Sequence, residues 1–228
     1  MSNVVFRRMS EIMPEPIRWL WEGRIPLGKV TLLEGEPGVG KSTLTTEIAA
    51  RVSRGAAMPA SKTPEVGSAN VVIFGEHDDL ADTIQPRLEA ADADLARIYA
   101  FDQEVSSEDL APLKPALIIL DPISSYVCMN CERDPVEVMR KLGHLAHKTG
   151  AAILAVQSVG DKSEEHRQSP DFYSTPRSIL SLTALGHGSR RLAVSKTNLR
   201  NIPDVHPLVY YFHDDEGEVK IVNWSDGR

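Results

Sequence analysis

Cysteine is scarce in this chain. Cys128 and Cys131 are the whole supply in 228 residues, too few for the disulfide framework that staples small secreted domains. Long apolar runs are lacking as well. None approaches the roughly 20 residues a helix needs to cross a bilayer. The opening stretch MSNVVFRRMSEIMPEP has neither the apolar core nor the small-residue cleavage site of a secretory signal, so the cytoplasm is the expected location, with no membrane partner. Positive charge is in deficit, and a net charge of −7 argues against a surface coated for nucleic acid. It still allows a local channel in which a few Lys or Arg dominate the field. There is no internal repeat, no low-complexity segment and no linker to a second domain. The length supports one α/β domain with a sizeable core. We expect that domain at 29–228, behind a leader at 1–28 whose Trp19, Leu20 and Trp21 are packing anchors.

The two cysteines are spaced C-x-x-C, which raises a redox pair or half of a zinc site. A structural zinc site needs four ligands. His144 and His147 on the following helix would have to complete it, across a short loop from Cys131 that fits no reliable finger pattern. Two free cysteines in a loop after a strand is the preferred reading.

What the chain does have is Gly35-Glu36-Pro37-Gly38-Val39-Gly40-Lys41-Ser42, which fits G-x-x-x-x-G-K-[ST] at every fixed position. Average residue usage would produce such a match in about 1% of chains this long. The context is also right, because the apolar run Val30–Leu33 enters as a buried strand and a helical stretch from Thr43 leaves. Glycine lets the backbone turn tightly beside a ligand. Successive N–H groups then form an anion nest, and the helix start adds its positive dipole end. The loop from Gly35 to Thr43 is therefore expected to cradle phosphates. Lys41 would reach the β- and γ-phosphates of ATP, and Ser42 would offer its hydroxyl to Mg²⁺.

Apolar runs alternate with helical patterns along the rest of the chain. Strands are expected at 29–34, 71–74, 98–101, 117–120 and 152–156, with helices at 42–54, 79–92 and 134–149, the last closed by Gly150. Two late strands, 191–195 and 207–212, precede a hairpin turn at 214–217 and a final strand at 218–224. Near-continuous apolar strands separated by helices predict a mostly parallel central sheet covered on both faces, with an antiparallel hairpin at the C-terminal end. Residues 102–115 read as loop, and 158–176 as a long charged loop, of a kind that is functional or mobile.

Strand ends supply the remaining chemistry. Asp121 closes the Leu117–Leu120 run, where a Walker B carboxylate would hold Mg²⁺ opposite Ser42. Glu76 follows Val71–Phe74 and could polarise the attacking water; Asp78 and Asp79 compete for that role, although Asp79 also suits a helix N-cap. Gln157 ends the strand after Asp121, where its amide could donate to a γ-phosphate and accept from water. The segment Arg190–Arg200 is the most basic in the chain. Its Lys196 and Arg200 are candidates to reach a neighbouring subunit's γ-phosphate, or else form a solvated strand edge protected by charge.

Taken together, these residues resemble the RecA-like ATPases of the RepA type, the hexameric replicative helicases of plasmids, phages and mobile elements. The match runs from RWLWEGRIPLGKVTLLEGEPGVGKST to KTNLRNIP. It includes W-x-G-x-I-P-x-G before the first strand, G-E-x-D after the next, L-I-I-L-D-P and K-T-N-L, in that order. The resemblance implies a RecA-like P-loop NTPase fold and a ring with ATP between subunits. Lys41 and Ser42 would be the phosphate and metal contacts, Glu76 the catalytic glutamate, Asp121 the Walker B residue, and Lys196 and Arg200 the pair acting in trans. It also implies single-stranded DNA in a central channel, touched by the region of loop 158–176. Relatives often carry His where this chain has Gln157. No primase or helix-turn-helix segment is read in the chain, so a separate primase or loader is expected. Two other classes compete: a nucleotide-gated regulatory or recombination-type ATPase without helicase activity, and a small-molecule kinase.

Overall fold

The computed structural model describes residues 6, 8–61, 65–74, 80–129, 134–159, 172–200, 203–215 and 218–226. A short antiparallel pair, β1 (Trp19–Trp21) and β2 (Ile25–Pro26), precedes the main sheet. Then follow β3 (Val30–Gly35), α1 (Lys41–Arg54), β4 (Val71–Phe74), α2 (Gln85–Ala90), β5 (Ile98–Phe101), α3 (Ser107–Leu110), β6 (Leu117–Leu120), α4 (Ile123–Met129), α5 (Pro135–Thr149) and β7 (Ala152–Ser158). Four long strands complete the chain: β8 (Ser178–Gly186), β9 (Ser189–Thr197), β10 (Leu208–Asp215) and β11 (Glu218–Asp226).

The sheet has the order β11-β10-β9-β8-β3-β7-β6-β4-β5. From β8 to β5 every neighbouring pair is parallel, and from β8 to β11 every pair is antiparallel. The parallel core is buried on both sides, which is why its strands read as unbroken apolar runs. Successive residues still point to opposite faces. Leu33, Ile119, Leu154 and Val156 pack with Leu44, Ile48 and Val52 of α1 and Leu88 of α2. Leu32, Ile118, Leu120 and Ile153 pack with Tyr126 of α4 and Met139 and Leu142 of α5. The result is a sheet between two helical layers, as the alternating pattern predicts.

Several elements depart from expectation for local reasons. The helix expected at 79–92 is a π-helical turn, Leu80–Ile84, running into the short α2. Pro86 lies in the first turn of α2, where its missing N–H is tolerated. The stretch 102–115 holds α3, nucleated by a capping box in which Ser106 and Asp109 bond reciprocally. Residues after Asp121-Pro122 continue as α4, so exposed Cys128 is on a helix rather than in a loop; Cys131 lies outside the described residues. Among those residues, no group of three or more His, Cys, Asp or Glu could hold a metal. No element was expected at 178–186, between the loop at 158–176 and the strand at 191–195, and β8 fills it with a nine-residue strand. Helix α5 ends at Gly150 in the left-handed conformation. Among the described residues, no helix is long and apolar enough to cross a membrane.

The antiparallel strands and the leader meet over the α1 face. Leu20 and Trp21 are fully buried, while Trp19 is half-buried. Trp21 donates its indole N–H to Pro59 O at 3.1 Å. Its ring stands edge-on to Trp224, 6.0 Å between centroids, and Trp224 lies 4.5 Å from Tyr210.

Candidate active site

Strand β3 delivers the chain to the loop at the C-terminal edge of the sheet, where ligands bind in open α/β folds. Gly38 (φ 74°) and Gly40 (φ 98°) take left-handed conformations that side chains disfavour. Space above Gly38 is open, with nothing within 4 Å of where a Cβ would stand. Glu36 and Pro37 are exposed, Thr43 is half-buried, and Val39 turns inward into the core. Lys41 begins α1 and is 7% exposed. Its Nζ donates to Gly35 O at 3.0 Å and Glu36 O at 2.9 Å, which holds the ammonium against the loop's own carbonyls.

Ser42 is exposed and lines a cleft with Thr46, Asp121, Arg87 and the tip of β4. Asp121 follows β6 directly. The Thr45 hydroxyl is 2.9 Å from Ser42 O and 3.2 Å from Asp121 Oδ2, so one residue of α1 ties the carboxylate to the first turn of the helix. Gln157 lies near the end of β7, level with Glu34 and one step below Gly35 in the parallel register. It is 7% exposed, and its Oε1 has no hydrogen-bond partner. A buried acceptor without a partner is costly, and its place beside the loop suits an oxygen waiting for a donor such as water.

Glu76 lies outside the described residues, as do Asp78 and Asp79. The chain leaves the described part of β4 at Phe74, which pairs with Leu120 beside Asp121. Lys196 and Arg200 are not brought to the loop of their own chain. Lys196 pairs with Ile179, level with Leu32, two strands across and three residues below Gly35, or roughly 14 Å away at ordinary sheet spacings. Its Nζ points to Tyr173 O at 3.3 Å. Arg200 is exposed beyond the end of β9.

Two cations near the loop were not singled out by sequence reasoning. Arg190 Nε donates to Val39 O at 2.8 Å, and its guanidinium lies 4.9 Å from the centroid of Phe212. That ring closes over Gly40. Arg87 lines the cleft opposite Ser42. Arg190 belongs to the basic segment already flagged, but its contact spans 151 residues, and no local pattern announces it.

The donor set fits the expected ligands. A glycine nest at a helix start suits a phosphate chain. A hydroxyl and a carboxylate converging from two elements are the hard oxygen ligands that Mg²⁺ prefers. Fold and site together define a RecA-like P-loop ATPase. Residues 1–164 match the AAA_25 family, an AAA domain, and the chain belongs to it. No curated protein matches this sequence. Among solved structures, the fold is similar to that of a KaiC-like protein from the hyperthermophilic archaeon Pyrococcus horikoshii OT3, with a TM-score of 0.59 and 17% identity over 91% of this chain and 100% of that one. That likeness concerns the fold alone.

Proposed function

We propose that this ATPase is a ring-forming motor of the RepA type, a hexamer in which ATP is hydrolysed between subunits to drive unwinding or translocation of DNA during replication of a plasmid, phage or mobile element. It would act in the cytoplasm on single-stranded DNA, with a separate primase or loader. The observation that carries the reading is the division of candidate site groups between the two ends of the sheet. Lys41, Ser42, Asp121 and Gln157, with its unpartnered Oε1, gather at one end, while Lys196 and Arg200 stand out of reach of their own loop. Cations so placed can complete a nucleotide site only on a neighbouring subunit.

In this reading the Gly35–Thr43 loop binds the triphosphate, with Lys41 exchanging its bonds to Gly35 O and Glu36 O for phosphate oxygens. Ser42 and Asp121 would hold Mg²⁺, which would supply charge neutralisation to the triphosphate. Glu76 accepts a proton from the attacking water. Gln157 donates to the γ-phosphate and reports its loss, and Lys196 and Arg200 of the adjacent subunit stabilise the transition state. The test is the ATP hydrolysis rate with and without single-stranded DNA, alongside the assembled mass with nucleotide bound. Stimulation by DNA and a ring-sized mass support the motor. An unstimulated rate in a monomer would leave a nucleotide-gated regulatory ATPase, and a phosphorylated metabolite in place of free phosphate would indicate a kinase.

A further inference from the structure

At the end of the sheet opposite the phosphate loop, an open groove runs between α5 and the chain leading into β8. Lys29, Arg140, His144, His147 and Arg177 line it, with Ser174 and Thr175. Arg140, His144 and His147 follow one another at i, i+4 and i+7 and so form one stripe along α5, about 10 Å long. Lys29 and Arg177 face that stripe from the start of β3 and the approach to β8. A fourth cation stands at the lower end. A methyl group built on Gly150, which caps α5, would lie 3.7 Å from Nη2 of Arg18. No Asp or Glu is among the lining residues described. Among the described residues, the ion pair there, Arg140 to Glu137 at 3.7 Å, is between side chains 67% and 45% exposed and is weak on that account.

In a protein of net charge −7, three cations and two imidazoles lining one groove, with Arg18 beside its lower end, make a local field of opposite sign to the whole. The groove is open and elongated rather than enclosed, which suits a chain of phosphates better than a single small anion. Apart from the two imidazoles, the lining offers no aromatic ring, so bases find little on which to stack and contact falls on the backbone.

We propose that this groove binds the phosphodiester backbone of a nucleic-acid strand without regard to sequence, at a surface separate from the nucleotide cleft. The choice of nucleic acid as the polyanion rests on the motor reading above. The groove itself stands on its geometry and charge. Four backbone contacts predict a salt slope near −2.8, so affinity for a single strand should fall about 50-fold between 50 and 200 mM salt. Arg140→Glu with Arg177→Glu removes two contacts, which should lower that fall to about 7-fold. Both side chains are exposed, so the fold is expected to survive.

The test is titration of fluorescent oligo-dT into nucleotide-free protein at several salt concentrations. It compares wild type, the double variant, and a charge-matched control, Lys114→Glu with Lys141→Glu, lying outside the groove. ATP hydrolysis is followed on the same samples. At least tenfold weaker binding and a flatter salt slope in the double variant alone support the groove. Equal binding in all three proteins overturns it. If hydrolysis is then still stimulated by DNA, the motor reading stands without the groove. Groove-dependent binding with no stimulation supports the groove and removes the motor. A wild type that binds no oligonucleotide overturns both.

Discussion

Gly40→Ala probes the brace between the late antiparallel strands and the phosphate loop. Gly40 has φ 98°, a conformation that costs an L-residue about 1–2 kcal/mol. The added methyl would also overlap Phe212 Cζ and lie 2.7 Å from Cε2. Phe212 cannot yield freely, because its other neighbours are the Arg190 guanidinium at 4.9 Å and the Tyr210 ring at 5.6 Å. Overpacking of this kind costs about 1–3 kcal/mol, for a total of about 2–5 kcal/mol. The two contributions separate experimentally. Phe212→Ala removes the obstacle but leaves the backbone conformation unchanged. In a double-mutant cycle read by urea unfolding, Gly40→Ala should therefore cost about 1–3 kcal/mol less in the Phe212→Ala background than in the wild type. Binding of a fluorescent ATP analogue should recover in parallel, though not fully. Strictly additive effects would refute the claim that Phe212 seats on the loop, and full recovery would refute the claim that φ at Gly40 matters.

Other outcomes follow from the same geometry. Glu76→Gln should leave nucleotide affinity largely intact while slowing hydrolysis at least about 100-fold, the scale of a general-base contribution, as measured by phosphate release. Arg200→Ala should likewise spare binding, and rings mixed with a Lys41→Ala chain should regain hydrolysis at the hybrid interfaces; no recovery in mixed rings would remove the trans assignment. Tyr210 is buried with its hydroxyl unpartnered. Burial raises its pKa, and the Arg190 charge opposes this more weakly. Because the folded value is raised, the stability from keeping the phenol neutral is fully present below the unfolded value of about 10 and is lost as pH rises beyond it. Tyr210→Phe should be neutral or stabilising by about 1 kcal/mol at pH 8. Its advantage over wild type should grow at pH 11 in denaturant unfolding.

The parallel strands were legible because burial on both faces leaves an unbroken apolar run, as in Leu117–Leu120 and Ala152–Val156. The phosphate loop was legible because its chemistry demands fixed residue types at fixed spacing. Asp121 and Gln157 followed from these two facts, since strand ends at one edge of a parallel sheet must converge. What escaped depends on contacts between distant segments or on short elements. α3 has four residues and shows itself only through Ser106 and Asp109. β8 is buried at Ser178–Leu180 and exposed from Thr183 onward, so neither a continuous run nor a clean alternation marks it. The seating of Phe212 and Arg190 on the loop comes from the curl of the antiparallel strands over α1, which no local pattern encodes. The groove beside α5 joins residues from 18 to 177 in the same way.

The central claim is that the Gly35–Thr43 loop and Asp121 together grip a magnesium–triphosphate. Equilibrium binding of a fluorescent ATP analogue, with and without Mg²⁺, to wild type, Lys41→Ala and Asp121→Asn tests it directly. Saturable binding should weaken about 100-fold in Lys41→Ala, or about 2.7 kcal/mol, and Asp121→Asn should lose the tightening that Mg²⁺ confers on wild type. Binding that is indifferent to Lys41, or wild-type affinity that is unchanged by Mg²⁺, would contradict the account.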